Sequence, residues 1–221
     1  MKNLNFSDSS VKIYPSMLSA NPAEMGAEIL KIEKAGADGI HWDIMDGNFV
    51  DAITFGAHII AAHRPLTSLR FDAHLMVENP DKHIKNFAEA GADLIIIHPE
   101  ACKHLHRSLE NILKLGKKAG VALNPATSPD TIIYCHDLIS MVLVMTVNPG
   151  ASGQKFINSQ LPKIKFLRDS LPESTEICID GGINPETLSD CLRNGANSAV
   201  SGAFIFRSKN YVDAIENLKN S

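Results

Sequence analysis

With 221 residues, 44% of them hydrophobic and 21% charged, the chain is long enough for one α/β domain with a sizeable core. A formal charge of -4 excludes the basic footprint of a nucleic-acid binder or of a protein held on an anionic membrane. Cys102, Cys135, Cys178 and Cys191 form no C-x-x-C pair and lack zinc-like spacing, so they are expected as reduced, buried small hydrophobes.

The opening "MKNLNFSDSS" lacks the apolar core of a signal peptide, and no apolar run approaches the roughly 18 residues of a membrane span. The expectation is a cytoplasmic protein with a flexible leader at 1–10 and one catalytic domain at 11–221. Strand-like runs then follow in order: "VKIYPSML", "GIHWDIM", "RFDAHLM", "LIIIH", "GVALN", "MVLVMTV", "EICID" and "NSAVSG". Amphipathic helical patterns separate them. In "PAEMGAEILKIEKAG", Met25, Ile29 and Ile32 fall on one face, and "NSQLPKIKFLRDSL" repeats the pattern after the sixth strand. A helix-to-strand joint recurs as "AGADGIHWD", "AGADLIIIH" and "NGANSAVSG", with glycine where a left-handed helix cap is wanted. Eight alternating β/α units predict a parallel sheet closed as a single (β/α)8 TIM barrel. The rival doubly wound sheet lacks a G-x-G-x-x-G turn after its first strand.

Chemistry in such a barrel sits at the carboxyl ends of the strands. Polar residues there are Ser16, His41, Asp43, Asp72, His74, His98, Glu100, Asn124, Asn148 and Asp180. Side chains alternate along a strand, so His41, Asp43 and Met45 share one face while Trp42 and Ile44 take the other. A carboxylate pointed inward costs several kcal/mol unless it is paired or bound to a metal. An H-x-D and a D-x-H on adjacent strands, with an Asp before Gly-Gly, predict that His41, Asp43, His74 and Asp180 hold one divalent Zn, Fe(II), Mn or Co ion. His98 and Glu100 are expected to support the site or the structure, and His104 and His106 to sit on a solvated helix. Met45, Met76 and Met145 fill the core or line a cavity. The glycine-rich "NPGASGQ", "DGGIN" and "SGAFIF" let backbone N–H groups approach an anion.

Together "IYPSMLSAN", "HWDIMDGNFV", "DAHLMVENP", "HPEA", "GVALNPAT", "VMTVNPG", "GQKFI" and "DGGIN" resemble the ribulose-phosphate 3-epimerase family over nearly the whole chain. The resemblance implies a metal-dependent isomerase that inverts C3 of D-ribulose 5-phosphate to give D-xylulose 5-phosphate through an enediolate. It implies that Asp43 and Asp180 are the acid/base pair as well as ligands, and that Ser16 and His74 contact the sugar. It further implies phosphate binding by the backbone of Gly181, Gly182, Gly202 and Ala203, a covering loop of Gly150, Ala151, Ser152 and Gly153, and a homo-oligomer. The chain departs from the family pattern at Asn48, Asp51, Ala52, Ala151, Ser152 and Ala203, all on loops that cover or anchor substrate. A hexulose 6-phosphate such as D-allulose 6-phosphate is the alternative substrate, and a non-catalytic sugar-phosphate-binding barrel is a lower alternative. Decarboxylase and aldolase relatives with an Asp-x-Lys-x-x-Asp strand are set aside, because Met45 stands at the lysine position.

Overall fold

Eight short strands, every one predicted from its apolar run, hydrogen-bond side by side in parallel: β1 Lys12–Pro15, β2 Gly39–Met45, β3 Arg70–Met76, β4 Leu94–Ile97, β5 Lys118–Leu123, β6 Met141–Met145, β7 Glu176–Asp180 and β8 Ser198–Ser201. This computed structural model describes residues 11–221, so the expected leader at 1–10 lies outside the described residues. The ladder runs β1-β8-β7-β6-β5-β4-β3-β2. Its two ends meet through an isolated parallel bridge between Ser16 and His41, which brings the sheet round into the expected barrel.

Helices α1 Met25–Lys34, α2 Ala57–His63, α3 Ile84–Glu89, α4 Leu105–Lys114, α5 Leu161–Ser170, α6 Pro185–Arg193, α7 Ala203–Phe206 and α8 Tyr211–Lys219 are spaced between and after the strands. The three recurring joints behave as predicted, with Gly36, Gly91 and Gly195 at φ of 86°, 101° and 101°. One connection differs. Between β5 and β6 the chain forms a 3-10 helix, Pro129–Leu138, capped by the Ser128 side chain at Asp130 N. Pro129 and the β-branched run Thr131, Ile132 and Ile133 are poor α-helix formers, which favours the tighter winding.

Alternation sorts the strand residues into two cores. Trp42, Phe71, Ile95, Val142 and Ile179 point outward and pack with Ile29, Ile60, Leu109, Ile164 and Leu188 from the helices. Tyr14, Leu94, Ile96, Leu143, Cys178 and Val200 fill the inside. Burying each such large side chain contributes about 1.5–3 kcal/mol. All four cysteines are free, but only Cys135, Cys178 and Cys191 are buried. Cys102 is half-buried because it sits in the connection just after the turn Pro99–Ala101, outside the packed faces.

At the amino ends of the strands the interior holds a charge cluster. Arg70 Nε lies 2.7 Å from Asp72 Oδ1 and its Nη1 lies 2.9 Å from Glu176 Oε2. Tyr14 OH donates to Glu176 Oε1 at 2.7 Å, and the guanidinium covers the Tyr14 ring at 4.2 Å. One cation therefore holds two buried carboxylates. Arg70→Met is expected to destabilise the protein by about 3–5 kcal/mol, the cost of leaving buried charge without its partner. Urea denaturation checks this, and the deficit should shrink as acid protonates the two carboxyls.

Candidate active site

Parallel register sets the site at the other end of the barrel. His41 lies beside Asp72, Asp43 beside His74, and Met45 beside Met76 along β2 and β3, while β7 ends on Asp180. One ligand atom from each of His41, Asp43, His74 and Asp180 lies within 4.8 Å of all the others. His41 Nε2 is 3.3 Å from His74 Nδ1 and 3.4 Å from Asp43 Oδ1, and His74 Nδ1 is 3.3 Å from Asp43 Oδ1. Asp180 Oδ2 is 3.9 Å from each imidazole nitrogen. An ion bonded tetrahedrally at about 2.0–2.1 Å separates its ligand atoms by about 3.3–3.4 Å, so the two imidazoles and two carboxylates fit one divalent cation. No thiol stands in the cluster, which suits borderline metals with mixed N/O ligation.

Two of the four ligands, Asp43 and His74, are oriented from behind. Ser16 Oγ donates to Asp43 Oδ2 at 2.6 Å, leaving Oδ1 for the imidazoles. His74 Nε2 is 2.8 Å from Nε2 of His98. For Nδ1 of His74 to present a lone pair to a cation, its proton must be on Nε2 and donated to His98, so His98 carries its own proton on Nδ1. That nitrogen faces Glu100 Oε2 at 3.6 Å, an electrostatic approach longer than a hydrogen bond. Glu100 in turn accepts from the Thr127 hydroxyl and, at 3.3 Å, from Asn124 N. His98 and Glu100 thus support the site, as expected. His104 and His106 are exposed, also as expected.

The electrostatics split the two acids. Burial would raise Asp43, yet His41 and His74 hold it well below the usual carboxylate range. Burial and the Asp43 charge push Asp180 up to about 7. Burial would lower His41, but Asp43, Asp180 and Asp72 carry it up to about 9. His74 is pushed down to about 3, mainly by burial, with His98 and His41 adding repulsion. Near neutral pH the centre therefore keeps one carboxylate charged and a second poised to exchange a proton.

A cavity of about 340 Å³ opens over these acids. Ser16, Asp43, Asp180 and three methionines from three strands, Met45, Met76 and Met145, are on its wall, as are Gly150, Ala151, Ser152, Gly153, Gly181, Gly182, Gly202 and Ala203. The methionines are both buried and cavity-lining, so the two readings of them merge. His74 is fully buried and is not among the lining residues, so of the two expected sugar contacts only Ser16 is on the wall. Gly181 and Gly182 turn the chain with φ of 118° and 66°, and a Cβ on Gly182 would meet Phe156 N at 2.7 Å. Asn184 then starts α6 with a reciprocal cap, worth about 1 kcal/mol.

Residues 12–206 match the sequence profile of the ribulose-phosphate 3 epimerase family. The chain belongs to that family. It is 47% identical over 215 residues to the ribulose-phosphate 3-epimerase of Bacillus subtilis (strain 168), covering 96% of this chain and 99% of that protein. It is 45% identical over 217 residues to the Synechocystis enzyme of the same name, covering 96% and 94%. Among solved structures, KGPDC from Streptococcus mutans superposes with a TM-score of 0.71 at 16% identity over 96% of this chain and 97% of that one, a likeness of fold alone.

The family departures map to the rim. Asn48 closes a turn on Asp46, whose Oδ1 accepts from Asn48 N and Phe49 N at 2.9 Å each. Asp51 and Ala52 flank a shallower hollow beside Ala151. Ser152 Oγ lies 2.6 Å from Ser19 Oγ, tying the 150–153 loop to the turn after β1. Sequence reasoning assigned no role to three polar lining residues, Asn184, Gln154 and Arg207. The first was legible as a cap in "GINPET"; the others carry no spacing signal.

The His74–His98 contact gives a test. His98→Phe keeps a ring between His74 and Phe49, whose centroids lie 5.0 Å and 4.8 Å from that of His98, but removes the acceptor. Divalent-ion affinity, measured by competition with a chromophoric chelator, should fall about 10–100-fold while far-UV circular dichroism is unchanged.

Proposed function

We propose that the protein is a metal-dependent epimerase that inverts C3 of D-ribulose 5-phosphate to D-xylulose 5-phosphate, with Asp43 and Asp180 as its proton-transferring pair. The observation that carries this reading is the pair itself: two carboxyls at one centre, on strands 2 and 7, one held well below the usual carboxylate range and the other pushed up to about 7. Inversion removes the proton α to the C2 carbonyl and returns one to the other face. Asp43, kept ionised and oriented by Ser16, takes the proton, and Asp180 gives one back; the reverse reaction exchanges the roles. A divalent Zn, Fe(II), Mn or Co ion held by His41, Asp43, His74 and Asp180 supplies Lewis-acid stabilisation of the enediolate charge. Met45, Met76 and Met145 exclude water from the reacting carbons. The backbone of Gly181, Gly182, Gly202 and Ala203 receives the phosphate, and Gly150, Ala151, Ser152 and Gly153 cover it. A homo-oligomer in the cytoplasm completes the reading. Among the described residues no helix is long and apolar enough to cross a membrane.

Asp43→Asn and Asp180→Asn should each lower kcat by about 10²–10⁴-fold or more, since each removes a proton-transfer group and a ligand. Chelation should abolish turnover, and re-adding one equivalent of a divalent transition metal should restore it. Near-normal turnover in either variant, or in verified metal-free protein, defeats the proposal.

Ala151 on the cavity wall favours a second reading, because a small side chain leaves room for a longer sugar. One extra hydroxymethylene changes discrimination by about 1–3 kcal/mol. The pentulose phosphate is expected to exceed D-allulose 6-phosphate in kcat/KM by about tenfold or more. A preference in the opposite sense assigns the hexulose phosphate.

A further inference from the structure

A phosphate monoester is close to a dianion at neutral pH, with its second pKa near 6. The glycine loops offer it backbone N–H groups, which carry only partial charge, and the same cavity holds two acids, Asp43 and Asp180. Electroneutrality asks for a cation. Among the described residues that line the cavity there is one Lys or Arg side chain, Arg207.

Its placement is specific. Arg207 follows α7 directly, and its backbone N–H donates to the Ala203 carbonyl at 3.1 Å, so it is anchored to one of the segments read as receiving phosphate. Its head reaches another. A Cβ built on Gly153 would lie 3.4 Å from Arg207 Nη2 and 3.9 Å from both Cζ and Nη1, ordinary van der Waals contact, so the guanidinium lies against the covering loop at Gly153. Gly153 also sits at φ of 79°, where a side chain is strained. The guanidinium bridges the 150–153 loop and the 202–203 turn. Among the described residues it has no hydrogen-bond or ion-pair partner, so its five donors remain free for a ligand.

We infer that Arg207 is the residue that neutralises the substrate's phosphate, pairing a fork of N–H donors with two phosphate oxygens while Gly153 of the covering loop lies against it. This rests on the proposed use of a ketose phosphate. Arg207 thereby selects phosphorylated sugars over free ones, and it sits away from the proton-transferring centre in role: its contribution is to holding the dianion.

The test uses Arg207→Met, which keeps length without charge, and Arg207→Lys, which keeps charge without the fork. At low ionic strength Arg207→Met should raise KM for D-ribulose 5-phosphate by about tenfold or more, and weaken competitive inhibition by inorganic phosphate by a similar factor. Arg207→Lys should recover most of both. The binding of inorganic phosphate alone, followed by calorimetry, should weaken in parallel. Unchanged phosphate affinity in Arg207→Met overturns the inference, and so does a raised KM with unchanged phosphate affinity, which would make Arg207 a prop for the loop. If the wild-type protein turns over no ketose phosphate, the proposed function fails by itself, and phosphate calorimetry on the two variants still decides the role of Arg207.

Discussion

Two carboxyls confined to one water-poor end of a barrel cannot both be charged without help, and most of the surrounding chemistry answers that constraint. A buried unpaired carboxylate costs several kcal/mol, so either it is protonated or something cationic stands beside it. Here both solutions are used at once. Asp43 keeps its charge against His41 and His74, and that charge, added to burial, leaves Asp180 close to protonation. Ser16 occupies the remaining oxygen of Asp43, and His98 fixes which nitrogen of His74 turns inward. Together His41, Asp43, His74 and Asp180 present four atoms with the spacing a divalent ion requires.

The barrel carries a second set of buried charges, and the contrast is informative. At the amino ends Arg70 is surrounded by Asp72, Glu176 and the Tyr14 ring, so that layer carries its own cation. At the carboxyl ends His41, Asp43, His74 and Asp180 gather into a group that could hold a metal ion. Asp72 and Asp43 look alike in the sequence, each two residues from a histidine on the inward face. Register separates them: Asp72 sits beside His41 one step lower, within reach of Arg70, whereas Asp43 sits beside His74 at the mouth. One layer brings its cation with it, and the layer above presents donors that could bind one.

What could be read from the sequence was whatever obeys a period. Eight apolar runs gave eight strands, three glycines in one recurring joint took left-handed conformations, and two-residue alternation placed His41, Asp43, His74 and Asp180 on one interior face. Contacts between strands that are not set by alternation were harder. The His74–His98 pair depends on how β3 and β4 are staggered, and Arg207 enters the cavity only because a four-residue helix redirects the chain after β8. The half-exposure of Cys102 likewise follows from local packing that no spacing rule encodes, whereas the 3-10 winding of Pro129–Leu138 tracks the proline and β-branched residues in its first turns. The methionines posed a false choice, since a residue can be buried from bulk water and still form the wall of a small cavity.

The seam of the barrel has a bearing on how the molecule comes into being. β1 draws its ladder from β8, and it touches β2 through the single Ser16–His41 bridge. A ribosome delivers β1 first and β8 last, so the opening strand waits for nearly the entire chain before its ladder partner exists, while β3 to β8 each have a neighbour already made. Ser16 is the residue at that seam and also the partner of Asp43. The support of Asp43 is consequently built where the ring closes, so the seam and the candidate site share one residue.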